Sequence, residues 1–121
     1  MPWQYSQRTG QLTHNGRVVG TGYSGAGAGR SNPQMQQMRN IGPIPQGRWR
    51  IGAPRDSDDH GPHVLDLTPL GHNAFGRTDF LIHGERRIGP PGNASQGCII
   101  LWPNIRHLIS SSGDRELVVT E

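Results

Sequence analysis

Residues 95–101 read Ser-Gln-Gly-Cys-Ile-Ile-Leu, a small-residue turn that runs into an apolar stretch and carries the only cysteine of the chain, Cys98. Upstream, the apolar residues 80–82 indicate a strand that ends in His83 and Gly84. A thiolate is the attacking form of cysteine, and a neighbouring imidazole can generate it and later return the proton. The two stretches together are typical of a cysteine nucleophile and its base, and they predict acyl-transfer chemistry.

Cys98 has a second interpretation, because a lone cysteine is often a small buried core residue. Three features favour catalysis. Gly97 leaves the backbone amides around the thiol free to approach a substrate carbonyl as an oxyanion hole. His83 ends an apolar strand, where an imidazole is costly to bury without a task, and Gly84 leaves space beside its ring. From the residues alone, both interpretations stay open.

The composition predicts a single, mostly β domain over residues 1–121. A chain of 121 residues fits one domain. Hydrophobic residues make up 31%, and the 18 Gly and 10 Pro favour turns and extended strands over helix. The regular alternation of apolar clusters and turn signals argues against disorder. With one cysteine, an internal disulfide is excluded.

The order of these signals predicts short strands with two short helices. Asn15-Gly16 indicates a hairpin, and the glycine run 20–29 indicates a loop. The first helix begins at Pro33 after the capping Asn32 and runs through residue 38; the second spans residues 103–110. Loops are expected at residues 53–62 and, near the site, at residues 88–93. Strands are expected at residues 3–5, 11–13, 17–19, 48–51, 63–68, 78–83 and 116–120.

Several functional classes find little support. The longest apolar run, residues 98–102, is too short to cross a membrane. Residues 1–5 lack the basic and apolar regions of a signal peptide, so other machinery is expected to deliver any activity outside the cytoplasm. Residues 20–25 match G-x-G-x-x-G, but no predicted helix follows and no acidic residue stands where the ribose contact requires one. The histidines lack metal-binding spacing, so neither a metal nor a cofactor is expected.

The charge balance is consistent with two interpretations, an ordinary soluble surface rich in arginine or a surface that binds an acidic partner. The net charge is +3 and the pI is about 10.0, with arginine as the only cationic side chain besides histidine. Such a balance suits either nucleic acid or bacterial cell wall. The arginines are scattered and exposed aromatic residues are few, which disfavours nucleic-acid binding.

The motif His83-Gly84, followed by Ser-Gln-Gly-Cys-Ile at residues 95–99, resembles the active-site signature of YkuD-type L,D-transpeptidases. In that family a His is followed at a distance by Ser/Thr-His-Gly-Cys. The resemblance extends, over about residues 3–101, to the L,D-transpeptidase-like effectors of the type VI secretion system. The segments that carry it are 23–25, 32–36, 42–47, 71–72, 75–77 and 80–84.

This resemblance implies a β-rich YkuD-like fold with Cys98 as nucleophile and His83 as base. The carbonyl of Gly84 would orient the imidazole, and the amides of Gly97 and Cys98 would hold the oxyanion. The substrate implied is the peptidoglycan stem tetrapeptide, cut between diaminopimelate and D-alanine by hydrolysis, or by exchange for another D-amino acid. The partners implied are the secretion machinery and a cognate immunity protein. The place of action implied is the periplasm of a rival bacterium.

Two departures from the family pattern bear on activity. Gln96 stands where the wider family has His, and it is expected either to bind substrate by hydrogen bonding or to give a different specificity. The short gap between His83 and Ser95 predicts a reduced lid and an open site, which favours hydrolysis or small-amine exchange over cross-linking. Gln96 also favours the alternative function, a basic peptidoglycan-binding module with a degenerate catalytic site.

Other residues have two interpretations each. Tyr23 and Ser24 line the site opposite Cys98 or belong to a structural loop, and Ser95 is expected to shape the turn while contributing to the substrate site. Arg77 binds a stem-peptide carboxylate by a bidentate contact, or it pairs with one of two acidic residues, Asp66 or Asp79.

Four further side chains have an expected place in the structure. Trp49 and Trp102 are expected in the core rather than as platforms for sugars. Glu85 and Arg86 follow His83 directly and are expected at the rim of the pocket.

Overall fold

A nine-stranded sheet and one α-helix organise the residues that the structure, a computed structural model, describes, namely 1–86 and 92–121. The mostly β fold class and the single small domain are confirmed. The elements are β1 (Trp3–Ser6), β2 (Gln11–His14), β3 (Arg17–Thr21), β4 (Tyr23–Ser24), β5 (Gly47–Ser57), β6 (Gly61–Leu70), β7 (Leu81–His83), β8 (Ile99–Ile100), α1 (Pro103–Ser111) and β9 (Glu116–Thr120).

The strand order is β3-β2-β1-β9-β5-β6-β7-β8-β4. Two neighbouring pairs, β1 with β9 and β7 with β8, are parallel, and the other pairs are antiparallel. The parallel pair β7 and β8 matters most for function, because it joins the two stretches of sequence that contain His83 and Cys98.

The core fills the concave side of this sheet with alternate strand residues. Trp49 is fully buried and packs edge-to-face on Phe80, which confirms the core position expected for it. Trp102 differs from the expectation: its side chain is 61% exposed. The largest fully buried side chains are Trp49, Tyr5, Leu12, Ile44, Leu65, Ile82, Ile99, Leu101, Ile109 and Leu117.

The prediction of an exposed loop at residues 53–62 is wrong. β5 continues to Ser57 and β6 begins at Gly61, so only residues 58–60 form the turn of a long hairpin. The ladder continues through Pro54 paired with Leu65, with two register shifts where a proline is tolerated. This end of the hairpin carries polar residues on both faces, so it lacks the alternation that indicates a half-buried strand.

The helices were predicted only in part. α1 begins at Pro103 as expected and ends one residue later than predicted. The first predicted helix is a single 3₁₀ turn, Pro33–Met35, although the Asn32 side chain caps it by accepting from the amide of Gln34. A segment this short, with no apolar stripe to bury, does not recover the cost of helix nucleation.

Two other boundaries differ from the prediction. The glycine run expected as one loop contains the end of β3 and all of β4. The strand expected at residues 78–83 forms only over β7, because Asp79 adopts φ +68° and interrupts the extended backbone. The loop expected at residues 88–93 lies mostly outside the described residues.

Candidate active site

Parallel pairing brings Cys98 and His83 to one end of the sheet. Ile82 pairs with Ile99 and His83 with Ile100, so Cys98 stands opposite Leu81. The Leu81 amide donates to Cys98 Sγ at 3.3 Å, and Sγ lies 3.6 Å from the carbonyl oxygen of Asp79. Cys98 and His83 both line one cleft of about 1320 Å³, which is large enough for a peptide.

A hydrogen bond to the backbone orients the His83 ring and leaves one ring nitrogen available as a base. Its side chain is 3% exposed, and Nδ1 lies 2.9 Å from the carbonyl oxygen of Gly84. A carbonyl only accepts, so Nδ1 carries the proton and donates, and Nε2 is left as the basic nitrogen. Burial lowers the pKa of His83 to about 4, although the Gly84 carbonyl favours the charged form.

Two residues beside His83 were missed by sequence reasoning. The ring of His60, at the tip of the β5–β6 hairpin, lies 4.6 Å from the His83 ring between centroids. Arg106 on α1 is buried and donates to the carbonyls of Leu101, Pro62 and His63. Both disfavour the imidazolium form of His83. The sequence could not identify His60, because it lies in a polar run without a distinctive pattern. For Arg106, the only sequence signal is its position next to the apolar residues of α1 that are buried.

Arg106 also explains why a glycine follows His83. A Cβ at Gly84 would lie 2.8 Å from a guanidinium nitrogen of Arg106, closer than side-chain contacts allow. The absent side chain therefore makes room for the buried guanidinium of Arg106, whereas the sequence predicts only space beside the imidazole ring.

Cys98 rests as a thiol. Burial raises its pKa to about 11, the Leu81 amide and Arg77 lower it in part, and Asp79 raises it. With the pKa of His83 near 4, both groups are neutral at pH 7. The arrangement suits proton transfer during attack, and it does not favour a resting thiolate–imidazolium pair.

Ser95 ties together the turn that presents Cys98. Its Oγ accepts from the amides of Gly25 and Gly97 at 2.9 and 3.1 Å, and it donates to the Cys98 carbonyl at 2.6 Å. The amide of Gly97 is therefore engaged, in contrast to its expected oxyanion contact. The Cys98 amide donates to none of the described backbone or side-chain acceptors, so it is available to a ligand at this turn.

Ser24 is a structural residue behind this turn. It is fully buried, donates through Oγ to the Gly97 carbonyl at 2.9 Å, and accepts from the Ile44 amide at 2.8 Å. Both bonds use the hydroxyl inside the protein. Of the two interpretations given for Ser24, the structure therefore supports the structural one.

Arg77 is also buried, and neither predicted contact with an acidic residue is present among the described residues. Its guanidinium donates to the carbonyls of Gln36, Gly42, Pro43 and Gln96. Within residues 1–86 and 92–121, no carboxylate contacts it. Four carbonyls satisfy most of its donors, so Arg77 has little capacity for a substrate carboxylate. It anchors the turn in front of Cys98 instead.

The neighbouring acidic residue Asp66 has its own partner. It accepts a bidentate contact from Arg55 on β5, at 2.8 and 3.0 Å. This pair lowers the pKa of Asp66 and leaves no role for Arg77 there.

Tyr23 lies beside the cleft rather than in it. Its hydroxyl contacts the Glu85 carboxylate at 2.8 and 2.9 Å and accepts from the Ala94 amide at 3.0 Å. With Arg30 over its ring at 4.6 Å, Tyr23 lines a second cavity of about 350 Å³. Glu85 lines both cavities.

The remaining expected residues do reach the larger cleft. Gln96 is exposed and lines it, as does Arg86 at its rim. Asp58 and Asp59 from the hairpin tip contribute negative charge to the same cleft. Among the described residues, no three His, Cys, Asp or Glu side chains gather to hold a metal ion.

A comparison with protein families matches residues 19–117 to the Tlde1 domain. The match includes β7, β8 and the turn that carries Cys98. The chain belongs to the Tlde1 domain family. This is a family of L,D-transpeptidase-like effectors of type VI secretion, so the protein is an antibacterial effector whose activity relates to peptidoglycan and which is secreted toward a target cell.

No curated protein sequence matches the chain. Within the described residues, no helix is both long and apolar enough to span a membrane.

Proposed function

We propose that this Tlde1 domain is a cysteine enzyme that removes the terminal D-alanine from peptidoglycan stem tetrapeptides, by hydrolysis or by exchange for another D-amino acid. One observation carries the proposal: a single cleft is lined both by the Cys98 thiol and by His83, whose Nδ1 is committed to the Gly84 carbonyl. This leaves Nε2 of His83 to take the proton from Cys98.

The first half of the reaction forms a thioester. As Sγ of Cys98 attacks the carbonyl carbon between diaminopimelate and D-alanine, its proton passes to Nε2 of His83. The Cys98 amide donates to the oxyanion that develops. His83 then gives the proton to the nitrogen of D-alanine, the C–N bond breaks, and D-alanine leaves.

The second half regenerates the enzyme. Water, or the amine of a D-amino acid, attacks the thioester carbon and loses a proton to His83. The C–S bond breaks, and His83 returns the proton to the Cys98 sulfur. Water yields the tripeptide, and a D-amino acid yields an exchanged tetrapeptide.

The charges in the cleft are compatible with this substrate. Asp58 and Asp59 lie on the hairpin side, and Arg39 and Arg86 line it as well. Diaminopimelate carries a free ammonium and a free carboxylate, so a cleft with both signs of charge complements it better than a purely basic one. An open cleft also admits water or a small amine to the thioester.

The biological setting follows from the same proposal. The enzyme would act in the periplasm of the target cell, where loss of tetrapeptide donors weakens cross-linking. The producing cell would need an immunity protein that covers the cleft around Cys98.

The test is a digest of purified disaccharide-tetrapeptides, read by mass spectrometry, with and without an added D-amino acid. Wild type is expected to release D-alanine, Cys98→Ser is expected to release none, and His83→Gln is expected to release it at least about 100-fold more slowly. His107→Gln is the matched control, because His107 lies on α1 and does not line the cleft. Intact substrate with folded wild-type protein would overturn the enzyme, and retained binding to cell-wall sacculi would then support the binding module.

A further inference from the structure

Trp102 differs from the other two tryptophans in exposure and in hydrogen bonding. Trp3 and Trp49 are buried, and their indole nitrogens donate to Ser112 Oγ and to the Pro45 carbonyl, each at 3.1 Å. Trp102 is 61% exposed, and its indole nitrogen donates to no group among the described residues. A large aromatic ring with a free donor at its edge suits a ligand that is apolar on one face and polar at its rim.

The backbone directs Trp102 to the catalytic side of the sheet. Successive residues of an extended chain point to opposite faces. Ile99 and Leu101 are buried at 0% and 2% exposure and belong to the core. Cys98 and Trp102 have the other parity, so both project away from the core, toward the clefts that they line.

Trp102 also stands at a definite distance from the nucleophile. Extended backbone continues through Trp102, at φ −66° and ψ 155°, and the Leu101 amide still bonds to the His83 carbonyl at 3.0 Å. Four residue steps of about 3.3 Å place Trp102 about 13 Å from Cys98.

The two cavities meet at this ring. Trp102 and Glu85 line both the cleft that contains Cys98 and the second cavity of about 350 Å³. The second cavity adds the polar side chains of Thr21 and Arg30 around apolar walls that include Ile100. A flat ring bordered by hydroxyl, carboxylate and guanidinium groups fits a pyranose, whose C–H face packs on aromatic carbon and whose hydroxyls need polar partners.

We infer that Trp102 and the second cavity form a glycan subsite, which holds the amino sugar that bears the stem peptide. The inference rests on the proposed function. In the tetrapeptide, L-alanine, D-glutamate and diaminopimelate separate the sugar's lactoyl group from the scissile carbonyl. Three residues of about 3.5 Å span about 10 Å, which is close to the separation of Trp102 from Cys98. A peptide extended in the cleft would thus place its sugar at the indole ring.

The first test compares two substrates of the same chemistry, the free tetrapeptide and the disaccharide-tetrapeptide. Trp102→Ala is expected to lower kcat/KM about tenfold for the disaccharide-tetrapeptide, mainly through KM, because a stacked ring contributes roughly that factor. Turnover of the free tetrapeptide should not change. Trp102→Phe should recover most of the loss, and Leu108→Ala, which removes an exposed apolar side chain from α1, should have no effect.

The second test does not depend on turnover. A tetramer of N-acetylglucosamine is titrated into the Cys98→Ala protein, and the three indole N–H signals are followed by NMR. The Trp102 signal is expected to shift, and those of Trp3 and Trp49 are expected to stay. This result stands even if wild type leaves both substrates intact, in which case the proposed function fails and the glycan subsite does not.

Three outcomes would overturn the subsite. Equal losses on both substrates would assign Trp102 to the peptide, and unchanged kinetics on both would leave the ring to a contact with another protein. An unshifted Trp102 signal at millimolar oligosaccharide would exclude the sugar directly.

Discussion

The resting state of Cys98 can be tested by its reaction with iodoacetamide, which requires the thiolate. A pKa of about 11, against an ordinary 9.0, leaves a thiolate fraction of about 10⁻⁴ at pH 7 instead of about 10⁻². The chain contains no other thiol, so every alkylated molecule reports on Cys98. We expect alkylation at pH 7 to be about 100-fold slower than that of an ordinary exposed cysteine.

The perturbation that decides the matter is His83→Gln. The pKa of Cys98 is set by burial, Leu81, Asp79 and Arg77 rather than by His83. Alkylation should therefore change less than about threefold, whereas D-alanine release should fall by about 10²–10⁴, the usual contribution of a general base.

The assay is intact-protein mass spectrometry of timed samples between pH 6 and pH 9.5, with circular dichroism to show that the variant is folded. For wild type, the logarithm of the rate should rise with a slope near one. A rate that is independent of pH above about pH 5, together with a loss of more than 100-fold in the variant, would show a resting ion pair and refute the reasoning.

Three further predictions concern stability and the turn before Cys98. Burial lowers the pKa of His83 from 6.5 to about 4, so between these pH values the unfolded chain binds a proton that the folded protein does not bind. The free energy of unfolding should therefore fall by about 3 kcal/mol from pH 7 to pH 4, and by less in His83→Gln. Urea titration at each pH measures this change. Arg77→Met leaves four carbonyls without their donor and should destabilise the protein by at least about 3 kcal/mol in the same titration; a normal melting temperature with a raised KM would instead favour the carboxylate contact. Gly97 has φ +141°, and a Cβ there would lie 2.5 Å from an Arg77 nitrogen, so Gly97→Ala should cut turnover at least about tenfold. Gly113→Ala, at φ +79° with open space around it, is the control that should cost stability of about 1 kcal/mol and leave turnover intact.

Local signals were sufficient for the parts of the fold that obey local rules. Residues 116–120 form β9 with the predicted bounds, and Pro103 begins α1. The motif residues His83 and Cys98 could be paired from the sequence, because His83 ends an apolar run, Cys98 precedes another, and the strands of both runs have to lie in the core. Their adjacency depends on parallel pairing, which no local pattern specifies.

The misses share a physical cause, which is that burial depends on tertiary partners. Residues 98–102 are apolar throughout, so the sequence does not show which alternate positions face the core, and it wrongly predicts a core position for Trp102. Arg77 and Arg106 are buried because backbone carbonyls distant in sequence satisfy them, and only the folded chain supplies those carbonyls. The hairpin tip that contains His60 is polar on both faces and resembles a loop.

The position of β9 between β1 and β5 has a consequence for how this molecule assembles. Among the described strands, β9 alone links the group β3-β2-β1 to the group β5-β6-β7-β8-β4. Trp3 finds its partner at Leu117, across nearly the whole chain. Such pairings slow folding, because the entropy of closing a long loop is lost before any stabilising contact forms. Removing the five residues of β9 would expose two sheet edges at once, so a chain shortened there should lose cooperative folding as a whole instead of fraying at one strand.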